Sequence, residues 1–339
     1  MTSLLFTNIN HYLTAHEAFR LDNLNKWATK YGFKVFVRRL DNSIIIENDN
    51  FFYSSILPTH CTLKKEIKEV LKKVKPKKVV NLLEKFFPWD LVETDAEKIY
   101  FLRSCAAKLK DVLIDYSAPS SVLEHYEELE MREKQFISLS NNVITDSPTS
   151  QSAILEKYGF LTETCLEYIN PCKYNLIGKP SDKYSVYNIG RRDFQKGLQY
   201  VKSPSKYQFI SIGKNEIGTE EFLSKNIKKY NCLSFESYKE IIEPMHFGLF
   251  PSIWESNGYS VQECLSMGKI PIIQLKSGGN ERLCNKENSM IIDFNRGNEN
   301  WEQILDNMSN LNYFSQNAKD TITLDMYENS LDKFAELVC

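Results

Sequence analysis

Short apolar runs alternate with longer stretches of helical periodicity along this chain of 339 residues. The first apolar run, Ser3 to Ile9, predicts a β-strand, and Ala15 to Tyr31 predicts an amphipathic helix whose apolar face includes Trp27. Lys34 to Leu40 predicts a second strand. A strand, a helix and a strand at this spacing favour a parallel sheet in an α/β fold.

The same alternation continues to the C-terminus. We predict further strands at Val79–Leu83, Asp111–Asp115, Asn142–Asp146, Leu166–Pro171, Tyr184–Gly190, Tyr207–Gly213, Cys232–Phe235, Phe247–Phe250 and Met290–Phe294. Helices are predicted at Ala96–Leu109, Glu220–Tyr230, Tyr238–Met245, Tyr259–Met267, Trp301–Leu311, Tyr313–Thr321 and Tyr327–Val338. A chain of this length can form two domains, and the polar segment Cys172–Lys183 is the predicted boundary between them.

One strand, turn and helix in the second half carry candidate chemistry. Phe247–Phe250 is predicted to be a buried strand, and a helix follows from Tyr259, with Gly258 where it begins. The first amides of a helix and the positive end of its dipole attract anions. We therefore expect a phosphate or diphosphate to bind at Asn257, Gly258, Tyr259 and Ser260.

Charged residues surround this predicted phosphate site. Glu255 lies in the turn and Glu263 about two helical turns later, so one carboxylate can face a group beyond the phosphate while the other reaches a hydroxylated ring. A nucleotide sugar needs this arrangement. A strand that ends at Gly190 also places two cations, Arg191 and Lys196, at the carboxyl end of a parallel strand, where such sheets bind ligands.

The stretch from Glu255 to Glu263 resembles the motif of Glu, seven residues and Glu found in retaining glycosyltransferases of the GT-B fold, specifically glycosyltransferase family 4. Two acids at this spacing carry little information alone, so the specificity comes from the surrounding residues. These are Pro251-Ser252, Gly258, Met267-Gly268, Pro271 and Ser277-Gly278-Gly279-Asn280-Glu281.

The resemblance implies a role for each matching residue. Glu255 is expected to contact the donor sugar and Glu263 the ribose hydroxyls, and the glycine pair Gly278-Gly279 is expected to permit positive φ near the sugar. Arg191 and Lys196 are expected to grip the donor diphosphate, with Arg192 a weaker candidate than Arg191.

The resemblance also implies an architecture. The expected fold is α/β, with two doubly wound Rossmann-like domains facing a cleft. Residues 1–175 would form the acceptor-side domain and residues 183–323 the nucleotide-sugar domain, and residues 324–339 would form a helix that crosses back onto the first domain.

Such enzymes transfer a sugar from a nucleotide-diphosphate sugar, here of the UDP or GDP type, with retention at the anomeric carbon. The implied acceptor is a glycan, a lipid-linked sugar or a protein-bound group. No additional cofactor is expected. Arg191, Lys196 and the amides at Gly258 would neutralise the leaving diphosphate in place of a metal, and no Asp-x-Asp cluster stands at a predicted strand end.

The acceptor side is less well defined. The loop from Asn8 to Thr14 lacks the two glycines that family members often carry there, so His11, Tyr12 and His16 are acceptor candidates, with loop packing or helix capping as the alternative. Asp115, at the end of a predicted strand, is a candidate for the catalytic cleft, with a capping role as the alternative.

Eight lysines lie between Cys61 and Lys78. Leu63, Ile67 and Leu71 follow helical spacing, which leaves the lysines on the outer face of a helix. That face is either simply solvated or a docking surface, from Lys64 to Lys78, for an anionic partner such as nucleic acid or a lipid surface.

The chain is expected to be cytoplasmic, with a peripheral position at the inner face of a membrane as an extension of that expectation. No apolar stretch reaches the ~18 residues of a transmembrane helix, and the N-terminus has no basic leader followed by an apolar core. The eight cysteines are scattered without a Cys-x-x-Cys pair, which favours reduced, buried thiols.

Two further interpretations stay open. The stretch from Gly190-Arg191 to Lys196-Gly197 also resembles phage DNA glucosyltransferases, which would make a modified DNA base the acceptor. The other interpretation is a nucleotide-sugar or glycan-binding protein without turnover, although the presence of both glutamates and both cations favours an enzyme.

Overall fold

A computed structural model of the chain describes residues 2–9, 15–39, 46, 48–82, 87–176, 182–201, 205–214, 227–231, 233–294 and 301–339. The chain forms two compact units. Unit 1 consists of Met1–Lys108, Tyr126–Glu167 and Glu328–Cys339, and unit 2 consists of Leu109–His125 and Tyr168–Tyr327.

Unit 1 is built on a parallel sheet that, in the described residues, has seven strands in the order β3-β2-β1-β4-β5-β6-β7. The strands are β1 (Ser3–Ile9), β2 (Lys34–Arg39), β3 (Phe51–Ile56), β4 (Lys78–Asn81), β5 (Glu97–Leu102), β6 (Asn142–Thr145) and β7 (Glu163–Thr164). The central strands are apolar on both faces, as a parallel sheet covered by helices requires. Leu4, Phe6 and Val79 accordingly have no exposed surface.

Unit 2 contains a second parallel sheet, with six strands among the described residues in the order β10-β9-β8-β11-β12-β13. These strands are β8 (Asp182–Ile189), β9 (Gln208–Ile212), β10 (Ile227–Tyr230), β11 (Met245–Phe250), β12 (Ile270–Gln274) and β13 (Met290–Ile292). Phe209, Phe247 and Ile272 lie in its core. In both sheets the strand order reverses beside the first strand, which is the doubly wound arrangement.

Ten α-helices are described. They are α1 (Ala15–Lys30), α2 (His60–Val74), α3 (Ala106–Asp115), α4 (Ser120–Ser138), α5 (Pro148–Tyr158), α6 (Phe235–Ile242), α7 (Tyr259–Ser266), α8 (Trp301–Asp306), α9 (Leu311–Thr321) and α10 (Leu324–Val338). No described helix is long and apolar enough to cross a membrane.

The C-terminal part of α10 packs within unit 1. The Phe334 ring stacks on Trp27 of α1 with 4.0 Å between ring centroids. The Ser3 hydroxyl donates a hydrogen bond of 2.6 Å to the carbonyl of Val338. The predicted architecture, with two parallel α/β sheets and a last helix that returns to the first domain, is therefore confirmed.

The segment from residue 96 to residue 115 corrects the sequence analysis. The predicted helix Ala96–Leu109 is strand β5 followed by the start of helix α3, and the predicted strand Asp111–Asp115 is the end of that helix. The run Ile99-Tyr100-Phe101-Leu102 is buried on both faces and rich in β-formers, whereas Leu109 and Leu113 are buried one helical turn apart. Asp115 therefore ends a helix and not a strand.

Two other predicted strands are wrong. In place of the strand predicted at Cys232–Phe235, the structure has β10 earlier in the chain, at Ile227–Tyr230. This strand takes up the end of the predicted helix Glu220–Tyr230. Ser234 instead caps α6, because its hydroxyl accepts the amide of Ser237 at 3.2 Å. The stretch Leu166–Pro171 has no strand, and the edge strand β7 precedes it.

Some predictions fall outside the described residues. His11 and Tyr12 lie there entirely, as does the side chain of His16. Strand β3 was not predicted at all.

Glu302 on α8 provides a test of the unit 2 fold. Its carboxylate accepts the amides of Ser205, Lys206 and Tyr207 at 2.8 to 3.0 Å. Burial alone would raise the pKa of Glu302, but these hydrogen bonds outweigh burial and lower it. A lowered carboxyl pKa stabilises the fold above the unfolded-state pKa, and this contribution is lost as the pH falls.

We predict that Glu302→Gln lowers the free energy of unfolding by about 1–3 kcal/mol at pH 7, because the charged acceptor is lost. The difference from the wild type should shrink as the pH falls through the unfolded-state carboxyl pKa of about 4.3, because the charged acceptor is then progressively lost. Urea unfolding at pH 7 and pH 3.5 measures both values, with Glu287→Gln at an exposed acid as the control. A difference that is the same at both pH values would contradict this account.

Candidate functional site

The predicted site residues of unit 2 gather where its strand order reverses. Strand β8 pairs with β11, and the chain leaves these neighbouring strands at Gly190 and Pro251. Ligands of doubly wound sheets bind beyond the carboxyl ends of the strands at such a reversal. The two turns that follow β8 and β11 therefore form the candidate site.

Backbone contacts lock these two turns together. The Gln195 carbonyl accepts the Ile253 amide at 2.9 Å, and the Gln195 side-chain amide donates to the Trp254 carbonyl at 3.0 Å. A Cβ atom at Gly197 would lie 2.0 Å from the Pro251 carbonyl oxygen, and Gly197 has a φ of +69°. Only glycine fits this crossing, so the separation of the turns is fixed by the main chain.

Lys196 and Glu255 meet across the two turns. The Lys196 ammonium donates a hydrogen bond to Oε1 of Glu255, and each side chain is 16% exposed. Gly190 lies beside this pair, since a Cβ atom there would be 3.6 Å from Cε of Lys196. Lys196 and Glu255 were both predicted to contact the ligand, but the ion pair between them was not predicted.

A third turn holds the backbone of Glu255. Its amide donates to the Ser277 carbonyl at 2.9 Å, and its carbonyl accepts the Gly279 amide at 2.7 Å. A Cβ atom at Gly279 would lie 2.0 Å from the Ser256 carbonyl oxygen. Gly279 is thus needed for backbone approach, which brings the Ser277–Gly279 turn into the site.

Helix α7 begins at this site. Its N-cap is Gly258, which has a φ of +66° and makes no side-chain capping hydrogen bond. The amides of Val261 and Gln262 both donate to the Gly258 carbonyl at 3.0 Å, so Tyr259 and Ser260 form the first turn. Both are half-buried, and the helix dipole makes this end favourable for an anion.

Asn257 plays a different part from its neighbours. It is fully buried, and its Oδ1 accepts Nη2 of Arg282 at 2.7 Å. Nη1 of Arg282 donates to the Tyr168 hydroxyl at 2.8 Å. The Asn257 side chain therefore supports the turn, and its carbonyl also accepts the Gln262 side-chain amide at 3.3 Å.

Glu263 lies on α7 and is 4% exposed. Its two carboxylate oxygens accept the hydroxyls of Tyr174 and Tyr238 at 3.1 and 3.4 Å. Burial raises the pKa of Glu263 to about 7, although the two tyrosine hydrogen bonds act in the opposite direction. Glu263 is thus a half-neutral acid near pH 7, held by two aromatic residues.

The two adjacent arginines differ. Arg191 has a side chain that is 51% exposed and lies 3.3 Å from both Asp193 and Gln195. Arg192 is 2% exposed and donates to the carbonyls of Ser211 and Tyr230 at 3.2 and 2.9 Å. Arg192 therefore holds the ends of β9 and β10, and Arg191 is the one with a guanidinium open to solvent.

Asp115 stands apart from these contacts. It is the exposed last residue of α3, and none of the hydrogen bonds or ion pairs described above involves it. The following residue, Tyr116, accepts the Tyr200 hydroxyl at 3.1 Å through its carbonyl. Asp115 was predicted at the end of a strand and instead ends a helix. Its role in catalysis stays a prediction.

Several supporting residues were missed by the sequence analysis. They are Gln195, Arg282 and the tyrosines that contact Arg282 and Glu263. Gln195 lies inside the Gly190–Gly197 stretch that the sequence analysis singled out, so its position could have identified it as a supporting residue. The tyrosines are separated from their partners by 25 to 114 residues, and no local pattern marks them.

In the described part of the chain, no group of three or more His, Cys, Asp and Glu side chains is arranged to hold a metal ion.

Comparison with solved structures identifies the fold. Sucrose-phosphate synthase from Thermosynechococcus elongatus matches with a TM-score of 0.76 and 14% identity, over 99% of this chain and 98% of that chain. HepE from Anabaena in complex with UDP and glucose matches with a TM-score of 0.68 and 14% identity, over 98% and 99%. WaaG, a glycosyltransferase involved in lipopolysaccharide biosynthesis, matches with a TM-score of 0.69 and 13% identity, over 100% and 99%.

The chain therefore has the GT-B fold of these glycosyltransferases along its whole length. Identities this low show the fold alone. No family model matches the sequence, and no curated protein matches it.

We predict that Glu263→Gln stabilises the protein at pH 8 but not at pH 5. A raised carboxyl pKa means that the folded state keeps a proton that the unfolded state has released, so wild-type stability falls as the pH rises from about 4.5 to about 7. Gln resembles the protonated acid and does not titrate.

The expected gain of Glu263→Gln over the wild type is about 3 kcal/mol at pH 8, because the pKa is raised from 4.5 to about 7 and each pKa unit corresponds to 1.36 kcal/mol. Urea unfolding at the two pH values measures it. The sign is opposite to that expected for Glu302→Gln, so the two variants control for each other. Equal stability of Glu263→Gln and wild type at pH 8 would show that Glu263 is charged without penalty.

Proposed function

We propose that the chain is a retaining glycosyltransferase that transfers a sugar from a nucleotide-diphosphate sugar to a glycan or other glycoconjugate. One observation carries the proposal. Lys196, Glu255 and the start of α7 lie together at the strand-order reversal of unit 2, where a doubly wound sheet binds its ligand.

The site has a group for each part of such a donor. Lys196, Arg191 and the amides of the first turn of α7 can neutralise the diphosphate, which becomes the leaving group. Glu255 can accept hydrogen bonds from the sugar hydroxyls. Gly190 leaves room for the donor beside Lys196, because it has no side chain. Gly258 is needed for a different reason, since a Cβ atom there would lie 2.1 Å from Oδ1 of Asn280.

Glu263 is proposed to face the ribose. A carboxylate accepts about four hydrogen bonds, and the hydroxyls of Tyr174 and Tyr238 use two of them. The remaining positions can accept ribose hydroxyls. Because Glu263 lies on α7, the same helix would then position both the diphosphate and the nucleoside.

The proposed donor is a UDP- or GDP-type sugar, and no metal or other cofactor is assigned to the reaction. The HepE structures in complex with UDP and with UDP-glucose support the UDP type, since that protein shares the fold. Retention of the anomeric configuration is proposed from the resemblance of the Glu255–Glu263 motif. The anomeric form of the product, read by NMR, tests it.

Within this proposal, the parts of the chain have different tasks. The nucleotide-sugar domain is proposed to be residues 183–323, and the acceptor-side domain residues 1–175, completed by a helix at residues 324–339. The compact units differ from these bounds, because Leu109–His125 and Tyr168–Tyr327 both belong to unit 2. Asp115 stays a candidate for the acceptor side. A cytoplasmic location is proposed, in keeping with the seven free cysteines among the described residues. Four of them are buried as predicted, whereas Cys61, Cys172 and Cys339 are exposed.

We predict that Glu255→Gln and Lys196→Ala each abolish sugar transfer while the fold is retained. The first removes the carboxylate proposed to bind the sugar, and the second removes the cation proposed to neutralise the leaving group. A thermal-shift screen of UDP- and GDP-sugars identifies the donor first, since a ligand at 100 times its Kd stabilises by about 2.7 kcal/mol.

Turnover of the donor so identified is then measured for both variants, with Glu236→Gln on α6 as a charge-matched control. Full activity in either site variant would remove the proposed roles. If no nucleotide sugar stabilises the wild-type protein, the glycosyltransferase proposal itself fails.

We further propose that helix α2 contacts an anionic bilayer. Lys65, Lys68 and Lys72 are exposed on the face opposite the buried Leu63 and Ile67. Shortly before this helix, at the end of β3, Ile56 is 44% and Leu57 is 68% exposed, which adds apolar surface to this part of the chain. Cations with neighbouring apolar residues suit a lipid surface better than they suit DNA.

The triple variant Lys65→Glu, Lys68→Glu and Lys72→Glu is predicted to lose cosedimentation with vesicles of anionic lipid, because each lysine near the surface contributes about 1 kcal/mol. The matched control reverses Lys228, Lys229 and Lys286, which are exposed in unit 2. Equal loss in both variants would contradict a specific surface. Retention on DNA but not on vesicles would favour the DNA glucosyltransferase alternative.

A further inference from the structure

The ion pair between Lys196 and Glu255 has a consequence for which ligands the site selects. We infer that Glu255 competes with the diphosphate for Lys196, and that the pair makes the site prefer a nucleotide sugar over the free nucleotide diphosphate. The inference rests on the proposed function, because it assumes that the diphosphate binds at Lys196.

The pair is built into the backbone. Lys196 belongs to a turn capped by Asp193, whose Oδ1 accepts the Lys196 amide at 3.0 Å. Glu255 is held through the Ser277 carbonyl and the Gly279 amide. With both main chains fixed and both side chains only 16% exposed, the ion pair is a preformed feature of the site rather than a chance meeting of two surface side chains.

An incoming diphosphate must share or take the Lys196 ammonium. Hydrogen bonds that the Lys196 ammonium donates to phosphate oxygens are no longer donated to Glu255. The Glu255 carboxylate then needs other hydrogen-bond donors. A mostly buried carboxylate without a partner is costly. The free energy of diphosphate binding therefore includes the cost of disturbing Glu255.

A nucleotide sugar and a nucleotide diphosphate differ in how they meet this cost. The sugar hydroxyls of the donor can donate to Glu255 and replace the ammonium. The free nucleotide diphosphate brings no hydroxyl to this position, and its terminal phosphate carries additional negative charge where the glycosidic bond had been. Like charges at close range repel, so the free nucleotide diphosphate is penalised twice.

The same difference acts after sugar transfer. Once the sugar has left, Glu255 regains Lys196 as its partner and weakens the hold on the product. Glu255 would thus assist release of the nucleotide diphosphate as well as bind the sugar of the donor.

Isothermal titration of one nucleotide diphosphate and its sugar conjugate tests the inference. UDP with UDP-glucose and GDP with GDP-mannose are both measured against the wild type and Glu255→Gln at a fixed ionic strength. In the variant, we expect the nucleotide diphosphate to bind about tenfold more tightly, which corresponds to 1.4 kcal/mol. The sugar conjugate should gain much less, because the variant also loses a sugar contact.

Two further variants identify the cause. Glu236→Gln removes an equally charged but exposed carboxylate of unit 2, and it should leave both dissociation constants unchanged. In a Lys196→Met background, Glu255→Gln should no longer tighten nucleotide diphosphate binding by the same factor, because there is no cation to release.

The outcomes separate this inference from the proposed function. If the wild type binds neither nucleotide diphosphate nor nucleotide sugar, the proposed function fails. If it binds both and Glu255→Gln leaves their affinity ratio unchanged, only the competition is overturned. Full tightening by Glu255→Gln in the Lys196→Met background would also overturn competition for Lys196.

Discussion

The close contact between the turns after β8 and β11 is the constraint on which the candidate site depends. These strands are neighbours because the strand order of unit 2 reverses between them. Gly197 then lets the first turn approach the Pro251 carbonyl of the second. Gly213, at the end of β9, allows a similar approach to the Gly190 carbonyl, since a Cβ atom there would lie 1.8 Å from its oxygen. Glycine at these crossings sets the main-chain geometry before any charged side chain is placed.

This rigid main chain explains how opposite charges can be concentrated in one place. Lys196, Glu255 and Arg191 lie on turns whose backbone groups are already satisfied by each other. The main chain therefore sets the geometry at this point, and under the proposed function these charged side chains contact the ligand. Arg192, by contrast, uses its guanidinium on three strand-end groups and is part of the structure. Arg191 and Arg192 are adjacent and carry the same charge, but they differ in the groups that each one already contacts.

The fold and the backbone of the candidate site could be predicted from the sequence, because both depend on patterns among residues that are close together in the chain. Gly258 before an apolar helical repeat indicates the start of α7, and the apolar run of β11 followed by Pro251 indicates a strand end. The segment from Ala96 to Asp115 was misassigned because an aromatic strand and an alanine-containing helix adjoin within a few residues, and a window that joins them shows neither period. Contacts such as that of Tyr174 with Glu263, 89 residues apart, arise only when the chain has folded.

Glu263 carries a cost for folding that the proposed function would explain. An apolar residue would fill a position that is 4% exposed without the free-energy cost of a carboxylate whose pKa is raised to about 7. Two tyrosines reduce this cost but do not remove it, since the pKa stays raised despite their hydrogen bonds. Under the proposed function, the ribose of the donor would account for a buried carboxylate that costs stability and is still provided with two oriented partners. The neighbouring Gln262 and Asn257 on the same turn and helix support the backbone instead, through the Ile169 amide and Arg282. The turn before α7 and the helix itself therefore contain two polar residues that support the backbone, Asn257 and Gln262, and one buried carboxylate that accepts two tyrosine hydroxyls.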